Sequence, residues 1–293
     1  MFTPLLGVLL LAALWSAYWF AAITYAKQTV ASQRLELAEK GLTLACSEES
    51  WGGYPFRFEF TCKAALLTAA GLGQVTTDRV MLMALAYNPK QVLILADGPS
   101  TDVKSEVNGF SILHGRVLAS ITFDKDWNPS FAAEIPGVEI PQLLTARRVA
   151  LYTRPVAGEL AGLAMNVDGL RWQRPERPEL LIDAGQLTGS LTPGMALKVE
   201  GIELSRGNIR YWGSGEMRLD EQHRPSGKLA TETNDLNGLL DILEPHLLMT
   251  DQEKANLRLV LGLLGQKPRA DLTFNGGGFF IGPYRVSDLV PLY

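Results

Sequence analysis

Few residues in this chain have the types and spacing that metal binding requires. Asp124, Asp126 and Asn128 begin like a calcium-binding loop, but Pro129 and Ile135 stand where that loop needs glycine and glutamate. We therefore interpret these residues as a strand end or turn. The sequence predicts no metal site.

Other motifs with catalytic residue types also lack the neighbours that catalysis needs. Gly276-Gly277-Gly278 lacks the following Lys-Ser/Thr of a phosphate-binding loop, which favours a tight turn or a bulge. Ser214 has glycines on both sides but not two residues away, and its segment has a strand pattern, so it does not fit a nucleophile elbow. The three histidines, far apart along the chain, have no metal or triad spacing: His114, His223 and His246. We predict no catalytic residue and no cofactor, although a hydrolase site built from residues distant in sequence stays open.

Charge excludes one class of partner. The 293 residues include 27 Lys and Arg and 31 Asp and Glu, for a net charge of −4, so no basic excess exists to displace counterions from phosphates. We predict no nucleic-acid partner. None of the charged residues precedes Lys27.

The uncharged N-terminal block has the length of a membrane span. Residues 5–26 are predominantly apolar, and about 20 helical residues cross a hydrocarbon core. Aromatic residues crowd the second half of this block, as at a membrane interface. We predict a transmembrane anchor at residues 1–26, with a signal peptide cleaved after Ala26 as the alternative.

Two features disagree on the orientation of this anchor. Lys27, Arg34 and Lys40 follow the block, which by the positive-inside rule places the rest of the chain in the cytoplasm. However, Cys46 and Cys62 both share the parity of apolar residues in strand-like segments. A hairpin across residues 47–55 would bring them together as a disulfide, which needs an oxidising compartment. We give the cysteines precedence, with two free buried thiols as the alternative.

Hydrophobic periodicity predicts the fold class. Residues 27–41 have helical spacing and form a predicted stalk that holds the rest off the bilayer. From residue 42 the period is near two, most clearly over Ile209 to Asp220, while a change of phase across Gly201 predicts a bulge. The prediction is a mainly β protein with a few helices (α+β): a long curved antiparallel sheet packed on amphipathic helices. Residues 42–293 form its domain, with two loosely duplicated halves meeting near residue 148.

Two amphipathic helices interrupt the strands near the end of the chain. Leucines at helical spacing run from Leu236 to Leu243 and stop before Pro245. A second apolar stripe begins at Thr250 and ends at Gly265. We interpret both as helices packed on the sheet, with membrane or partner binding as the alternative.

One strand pair is apolar at both parities. Residues 80–87 and 92–96 leave no polar face, so both faces need cover or a ligand. A central strand pair covered by helix is one interpretation. The functional interpretation is a lipid groove lined by the candidate residues Val80, Leu82, Met83, Leu85, Val92 and Ile94.

Several short segments resemble a known family. They are residues 52–58 with their flanking cysteines, the Tyr87-Asn88-Pro89 turn and residues 277–283. Together with the N-terminal span they resemble domain-of-unknown-function family 2125 of Gram-negative envelope proteins. More loosely, the layout is similar to AsmA-like proteins, whose curved sheets enclose apolar grooves and are linked to lipid handling.

The resemblance implies a location and a role. We expect a single-pass inner-membrane protein, anchored through residues 5–26, with most of the chain in the periplasm. Its expected role is non-enzymatic, with binding or guiding of lipid acyl chains as the sharper version. The alternatives are an envelope scaffold or assembly factor that binds a protein partner, and the hydrolase noted above.

Overall fold

The chain folds into two units. A computed structural model describes residues 3–70, 73–104, 109–173, 177–246, 250–262, 269–282, 284–289 and 291. The first unit is Met1–Trp127 and the second is Asn128–Tyr293, referred to below as unit 1 and unit 2. Both are antiparallel sheets with few helices, which confirms the predicted fold class.

Unit 1 begins with one long helix, α1, at Thr3–Glu39. Leucine and alanine dominate its first half, and both are strong helix formers. Its apolar part is long and apolar enough to cross a membrane. The predicted anchor and stalk are therefore a single uninterrupted helix. It ends before Gly41, whose φ of +80° favours glycine.

Seven strands follow α1 in unit 1. They are β1 Leu42–Ala45, β2 Glu48–Gly52, β3 Arg57–Ala69, β4 Gly73–Leu85, β5 Asn88–Lys104, β6 Gly109–Leu113 and β7 Val117–Phe123. Both β1 and β2 pair with β3, β3 pairs with β4, and β4 with β5. β5 then pairs with β6 over its second half and with β7 over its first half. All these pairings are antiparallel.

The disulfide forms, but not across the hairpin that the sequence predicts. Cys46 and Cys62 are bonded, with Cα atoms 5.3 Å apart. The segment expected to be a turn, residues 47–55, instead contains β2, and Glu49 rather than Cys46 pairs with Cys62. Cys46 lies in the break between β1 and β2, which pair with β3 in the same register, and Ala64 of β3 has a positive φ of 45° there.

Helix α1 packs on the sheet of unit 1 well before Lys27. Trp19 and Ile23, with exposed fractions of 4% and 5%, form a buried cluster with Ala86. The Trp19 indole N–H donates to the carbonyl oxygen of Arg57 at 3.0 Å. The sheet therefore contacts α1 within the predicted anchor, and residues 27–39 do not separate the sheet from the anchor.

Unit 2 is built on ten consecutive strands. They are β8 Pro129–Ile140, β9 Leu144–Arg154, β10 Ala161–Trp172, β11 Leu180–Leu191, β12 Leu197–Arg206, β13 Ile209–Leu219, β14 Pro225–Thr233, β15 Arg269–Asn275, β16 Gly278–Ile281 and β17 Tyr284–Asp288. Each strand pairs antiparallel with the next one along the chain. This meander needs only short connections, apart from the one that carries two helices.

Two local predictions in unit 2 are confirmed. The alternating segment forms β13, and the register shifts between Val199 and Ile202, at the predicted bulge. The two units divide after Trp127, so residue 148, where the sequence predicts that two duplicated halves meet, lies within unit 2, and the duplication itself stays a prediction. Arg148 lies inside β9, pairs with Asp168 of β10 and donates to its carboxylate at 2.8 Å.

The helices of unit 2 lie between β14 and β15. They are α2 at Leu236–Leu243, a short 3-10 helix at Glu244–His246, and α3 at Asp251–Gly262. Asp235 caps α2 by accepting from the Gly238 amide at 2.9 Å. Arg258 of α3 pairs with Asp241 and Glu244, which fixes α3 to α2. The predicted end of the second helix, at Gly265, lies outside the described residues.

Removing the disulfide should loosen unit 1. The bond closes a sequence separation of 16, and Cys62 is 1% exposed. We expect the double variant Cys46→Ala/Cys62→Ala to lower the stability of unit 1 by about 3 kcal/mol, because the unfolded chain gains loop entropy. Hydrogen exchange of β3 amides in the full chain in detergent measures this. Reductant should have the same effect on the wild type and none on the variant; unchanged exchange would contradict the expectation.

Candidate functional site

The six candidate groove residues do not share one surface. Leu82 pairs with Ile94, so their side chains lie on one face of the sheet, which Val80 and Val92 share by alternation. This face carries the disulfide, and Val80 and Leu82 pack against the buried cluster of Phe60, Cys62 and Ala65. Part of the predicted groove is therefore core of unit 1.

Met83 lies on the opposite face of the same strands. It pairs with Leu93, and Leu95 pairs with Leu118, so these residues share a surface with Met81. Leu93 and Leu118 have exposed fractions of 44% and 50%. Leu85, 39% exposed, ends β4 at the turn. We call this surface, formed by Met81, Met83, Leu93, Leu95 and Leu118, the outer apolar patch.

An apolar cavity lies in unit 2, at a place that the sequence did not indicate. Its volume is about 320 Å³, within the usual range for a small-molecule site. Six strands each contribute a pair of residues two positions apart, which therefore share a face. These pairs are Leu180 and Ile182, Leu204 and Arg206, Ile209 and Tyr211, Thr231 and Thr233, Ala270 and Leu272, and Phe279 and Ile281.

Helix α2 forms the opposite wall of the cavity. Its lining residues are Leu236, Leu239, Leu240, Ile242 and Leu243, and Leu240 is 4% exposed. Gly238 allows this close approach, because a Cβ atom there would lie 2.7 Å from Cδ1 of Ile209. The leucine stripe of α2 thus faces the sheet, as predicted, but it leaves a space beneath it.

The buried hydroxyl groups in the cavity wall have partners in the protein. Thr231 donates to the carbonyl oxygen of Ala270 at 2.6 Å, and Thr233 donates to that of Arg210 at 2.8 Å. Burial raises the pKa of Tyr211 above its usual range, while a hydrogen bond with Thr231 acts in the opposite direction. The cavity therefore offers a ligand mainly apolar surface.

Two charged residues also line the cavity, and they differ in their pairing. Glu232 forms an ion pair with Arg269 at 3.3 Å. Arg206, half-buried at the end of β12, forms no ion pair with any residue that the structure describes. An arginine in this position can bind an anion at the rim of an apolar site.

The motifs rejected as catalytic have structural roles. The Asp124 carboxylate accepts from the Asp126 amide at 2.8 Å, which makes a turn. Gly276 and Gly277, with φ of +57° and +76°, form the turn between β15 and β16. Ser214 lies inside β13, as its pattern predicts. The three interpretations of these segments as turn, turn and strand are confirmed.

Sequence reasoning missed the cavity because its lining comes from residues about a hundred positions apart. Each pair of lining residues looks like an ordinary apolar face of a strand, and the α2 stripe looks like ordinary core. Arg206 was the available sign, since a charged residue there shares the parity of the apolar residues Ile202 and Leu204. That sign alone does not predict a cavity.

Comparison with known proteins identifies one family. Residues 19–289 match the model of a family described as uncharacterized protein conserved in bacteria (DUF2125). No curated protein and no solved structure matches. The match confirms the resemblance to family 2125, whereas the looser likeness to AsmA-like proteins stays a prediction. The matched region begins at Trp19, inside α1.

The buried phenol of Tyr211 gives the stability of unit 2 a dependence on pH. Since the folded protein raises its pKa above the unfolded value of about 10, the neutral phenol stabilises the fold below that pH. This contribution is lost as the pH rises from about 10 through the pKa of the folded state. We expect the wild type to lose stability relative to Tyr211→Phe over that range.

The tyrosinate absorbance of the two proteins measures this expectation. The difference between wild type and Tyr211→Phe should titrate above the usual pKa in native protein, and near it in denaturant. A native midpoint at or below the usual value would mean that the phenol is open to water.

Proposed function

We propose that this chain, which belongs to the uncharacterised bacterial family DUF2125, is a membrane-anchored protein that holds the hydrocarbon chain of an anionic amphiphile in the cavity of unit 2. In this proposal its role is non-enzymatic: the protein binds or guides a lipid acyl chain. It is anchored in the inner membrane by α1 and has most of its chain in the periplasm. The apolar cavity under α2 is the observation that carries the proposal.

The walls of the cavity favour hydrocarbon over water. A buried water needs two to four polar partners, and the hydroxyl groups of Thr231 and Thr233 already donate to the backbone. Leucine, isoleucine and phenylalanine side chains supply most of the remaining surface. A hydrocarbon chain that enters this space leaves water without taking a hydrogen bond from the protein, so its transfer is favourable.

Arg206 supports an anionic head group on that chain. It lines the cavity without an ion partner among the described residues, whereas the nearby charge of Glu232 is balanced by Arg269. A guanidinium group matches a carboxylate or a phosphate with two parallel hydrogen bonds. A fatty acid has both an apolar chain and an anionic end, and so does a lipid with a phosphate head group.

The disulfide supports a periplasmic location, because such bonds persist in oxidising compartments. Two of the positive charges that argue for the cytoplasm also have contacts within unit 1. Lys27 lies 6.0 Å from the centre of the Trp51 ring, and Arg34 pairs with Glu49 at 2.7 Å. Their presence after the span thus has a structural reason as well as a topological one.

A filled cavity should bind less lipid. We expect Ala270→Phe to lower the affinity for a fluorescent long-chain fatty acid at least tenfold, which corresponds to about 1.4 kcal/mol, because the ring occupies the space under α2. The matched control is Ala230→Phe, on the neighbouring strand and on the exposed face.

Loss of the arginine that lines the cavity should weaken binding of the anionic head group. We expect Arg206→Gln to weaken binding of the fatty acid more than binding of the alcohol of equal chain length. The control Arg218→Gln, exposed on β13, should leave the binding of both compounds unchanged.

Protein extracted without detergent provides the second measurement. Mass spectrometry of this material should find a bound acyl chain in the wild type and less of it in Ala270→Phe. Wild-type protein with no bound lipid, and equal probe binding by both phenylalanine variants, would overturn the proposal.

Orientation has a separate test. A cysteine at Gln74, which is exposed near the start of β4, should react with a membrane-impermeant maleimide in intact spheroplasts. A cysteine in a cytoplasmic marker protein is the control for leakage. Reaction of Gln74→Cys only after lysis would place unit 1 in the cytoplasm and contradict the periplasmic part of the proposal.

A scaffold that binds an envelope protein is the second candidate, because the outer apolar patch of unit 1 is exposed. Its members Leu93 and Leu118 are about half exposed, and surfaces of this kind often bind proteins. Crosslinking that recovers one stoichiometric partner through this patch, together with an empty cavity in unit 2, would favour the scaffold over lipid binding.

A further inference from the structure

Four large aromatic side chains are exposed at one edge of the unit 1 sheet. Tyr54, Phe56, Tyr87 and Trp127 have exposed fractions of 53%, 65%, 68% and 62%. We call these four residues the aromatic edge. Water-exposed aromatic residues are rarely clustered in this way, whereas tyrosine and tryptophan are enriched at membrane interfaces.

The pairing of the strands brings these residues to the same edge. β3 begins at Arg57, which pairs with Leu85 at the end of β4, and Leu85 pairs with Asn88 at the start of β5. The turns with Tyr54, Phe56 and Tyr87 therefore adjoin. β7 ends next to the start of β5, and the loop after it carries Trp127, whose ring lies 4.8 Å from the Lys90 ammonium group.

This edge is also the part of the sheet that holds α1. The Trp15 indole N–H donates to the carbonyl oxygen of Pro55 at 2.9 Å, and the Tyr18 hydroxyl donates to that of Ala86 at 2.8 Å. The hydroxyl groups of Ser16 and Tyr54 lie 2.8 Å apart. These contacts put the aromatic edge level with Trp15 to Trp19 along the helix.

That level cannot be deep in hydrocarbon. Trp15 precedes Lys27 by twelve positions, or about 18 Å of helix. If hydrocarbon extended to Lys27, the turns at Pro55 and Ala86 would lie near the middle of a core about 30 Å thick. The charged side chain of Arg57, exposed beside these turns, would then lie deep in hydrocarbon, which is costly.

We propose that the aromatic edge of unit 1 inserts into the interfacial layer of the membrane, at the depth of Trp15 to Phe20 of α1. This inference rests on the proposed insertion of α1 in a membrane. The bilayer surface then lies near Trp15, and the exposed apolar residues Leu5 to Leu14 are in hydrocarbon, where their ten positions, about 15 Å of helix, reach the middle of a core about 30 Å thick rather than crossing it. Lys90, whose ammonium group donates to the carbonyl oxygen of Asp124 at 3.0 Å beside the Trp127 ring, places a positive charge at the same edge, where it attracts anionic lipids.

Depth-dependent quenching tests this placement in the full chain. Single cysteines replace Tyr54, Phe56, Tyr87 and Trp127, carry an environment-sensitive fluorophore, and are reconstituted with the native disulfide intact. The vesicles contain phosphatidylethanolamine and phosphatidylglycerol with spin-labelled lipids of several depths. Labels at Leu10 and Phe20 of α1 calibrate the hydrocarbon and interfacial levels. Gln74, about 36 Å from Leu85 along β4, is the aqueous control.

The expected result is quenching of all four edge labels at the depth of the Phe20 label, shallower than Leu10, with no quenching at Gln74. Unquenched edge labels together with a quenched Leu10 label would overturn the inference and leave the membrane anchor standing. An unquenched Leu10 label would show that α1 is not in lipid, which overturns the anchor and this inference together. All six labelled positions outside the control are exposed, and only the labels at Tyr54 and Phe20 remove ring contacts with the buried Trp19.

Discussion

The apolar face of an antiparallel sheet has to be covered, and this chain has few helices with which to cover it. Strands that alternate in polarity leave one face of a sheet that must be removed from water, and this holds for the strands of both units. In unit 1 the cover is supplied by α1, with Trp19 and Ile23 over Ala86, and by the disulfide beside Phe60. In unit 2 a single short helix, α2, lies over strands β11 to β16.

The two units meet this constraint to different degrees. Around Cys62 the packing is tight, because the disulfide and the rings of Trp51 and Phe60 lie in contact on one face of the sheet. Beneath α2 the packing is incomplete: eight helical residues cover only part of the sheet, and a space remains. An apolar space of this size costs stability when it is empty, since its wall atoms lose contacts. A hydrocarbon ligand would restore those contacts, which links the energetics of the fold to the proposed function.

The sequence predicted what depends on local patterns and missed what depends on distant pairing. Alternation is local, so β13 and the bulge at Gly201 could be predicted. The parity of Cys46 and Cys62 likewise indicated that both belong to one face. The strand register around these cysteines could not be predicted. A single hairpin and two short strands that both pair with β3 would show the same alternation of apolar and polar residues. The choice between them depends on long-range hydrogen bonds that no single segment reveals.

The docking of α1 was hidden for a related reason. A helix that faces lipid and a helix that faces an apolar protein surface have the same composition, so uniform hydrophobicity gave no sign that Trp15 and Trp19 donate to a sheet edge.

The double role of α1 has a consequence for how unit 1 folds. Trp19 and Ile23 complete its core, so cleavage after Ala26 would leave Ala86 and Phe58 without their apolar cover. Retention of the helix is therefore a condition for a closed core as well as for anchoring. The indole N–H groups of Trp15 and Trp19 find carbonyl partners at the turns, and such bonds form most strongly away from bulk water. In the proposed membrane-anchored protein, insertion and folding of unit 1 favour each other, because the same helix serves both and the contacts of Trp15 and Trp19 remove its aromatic face from bulk water.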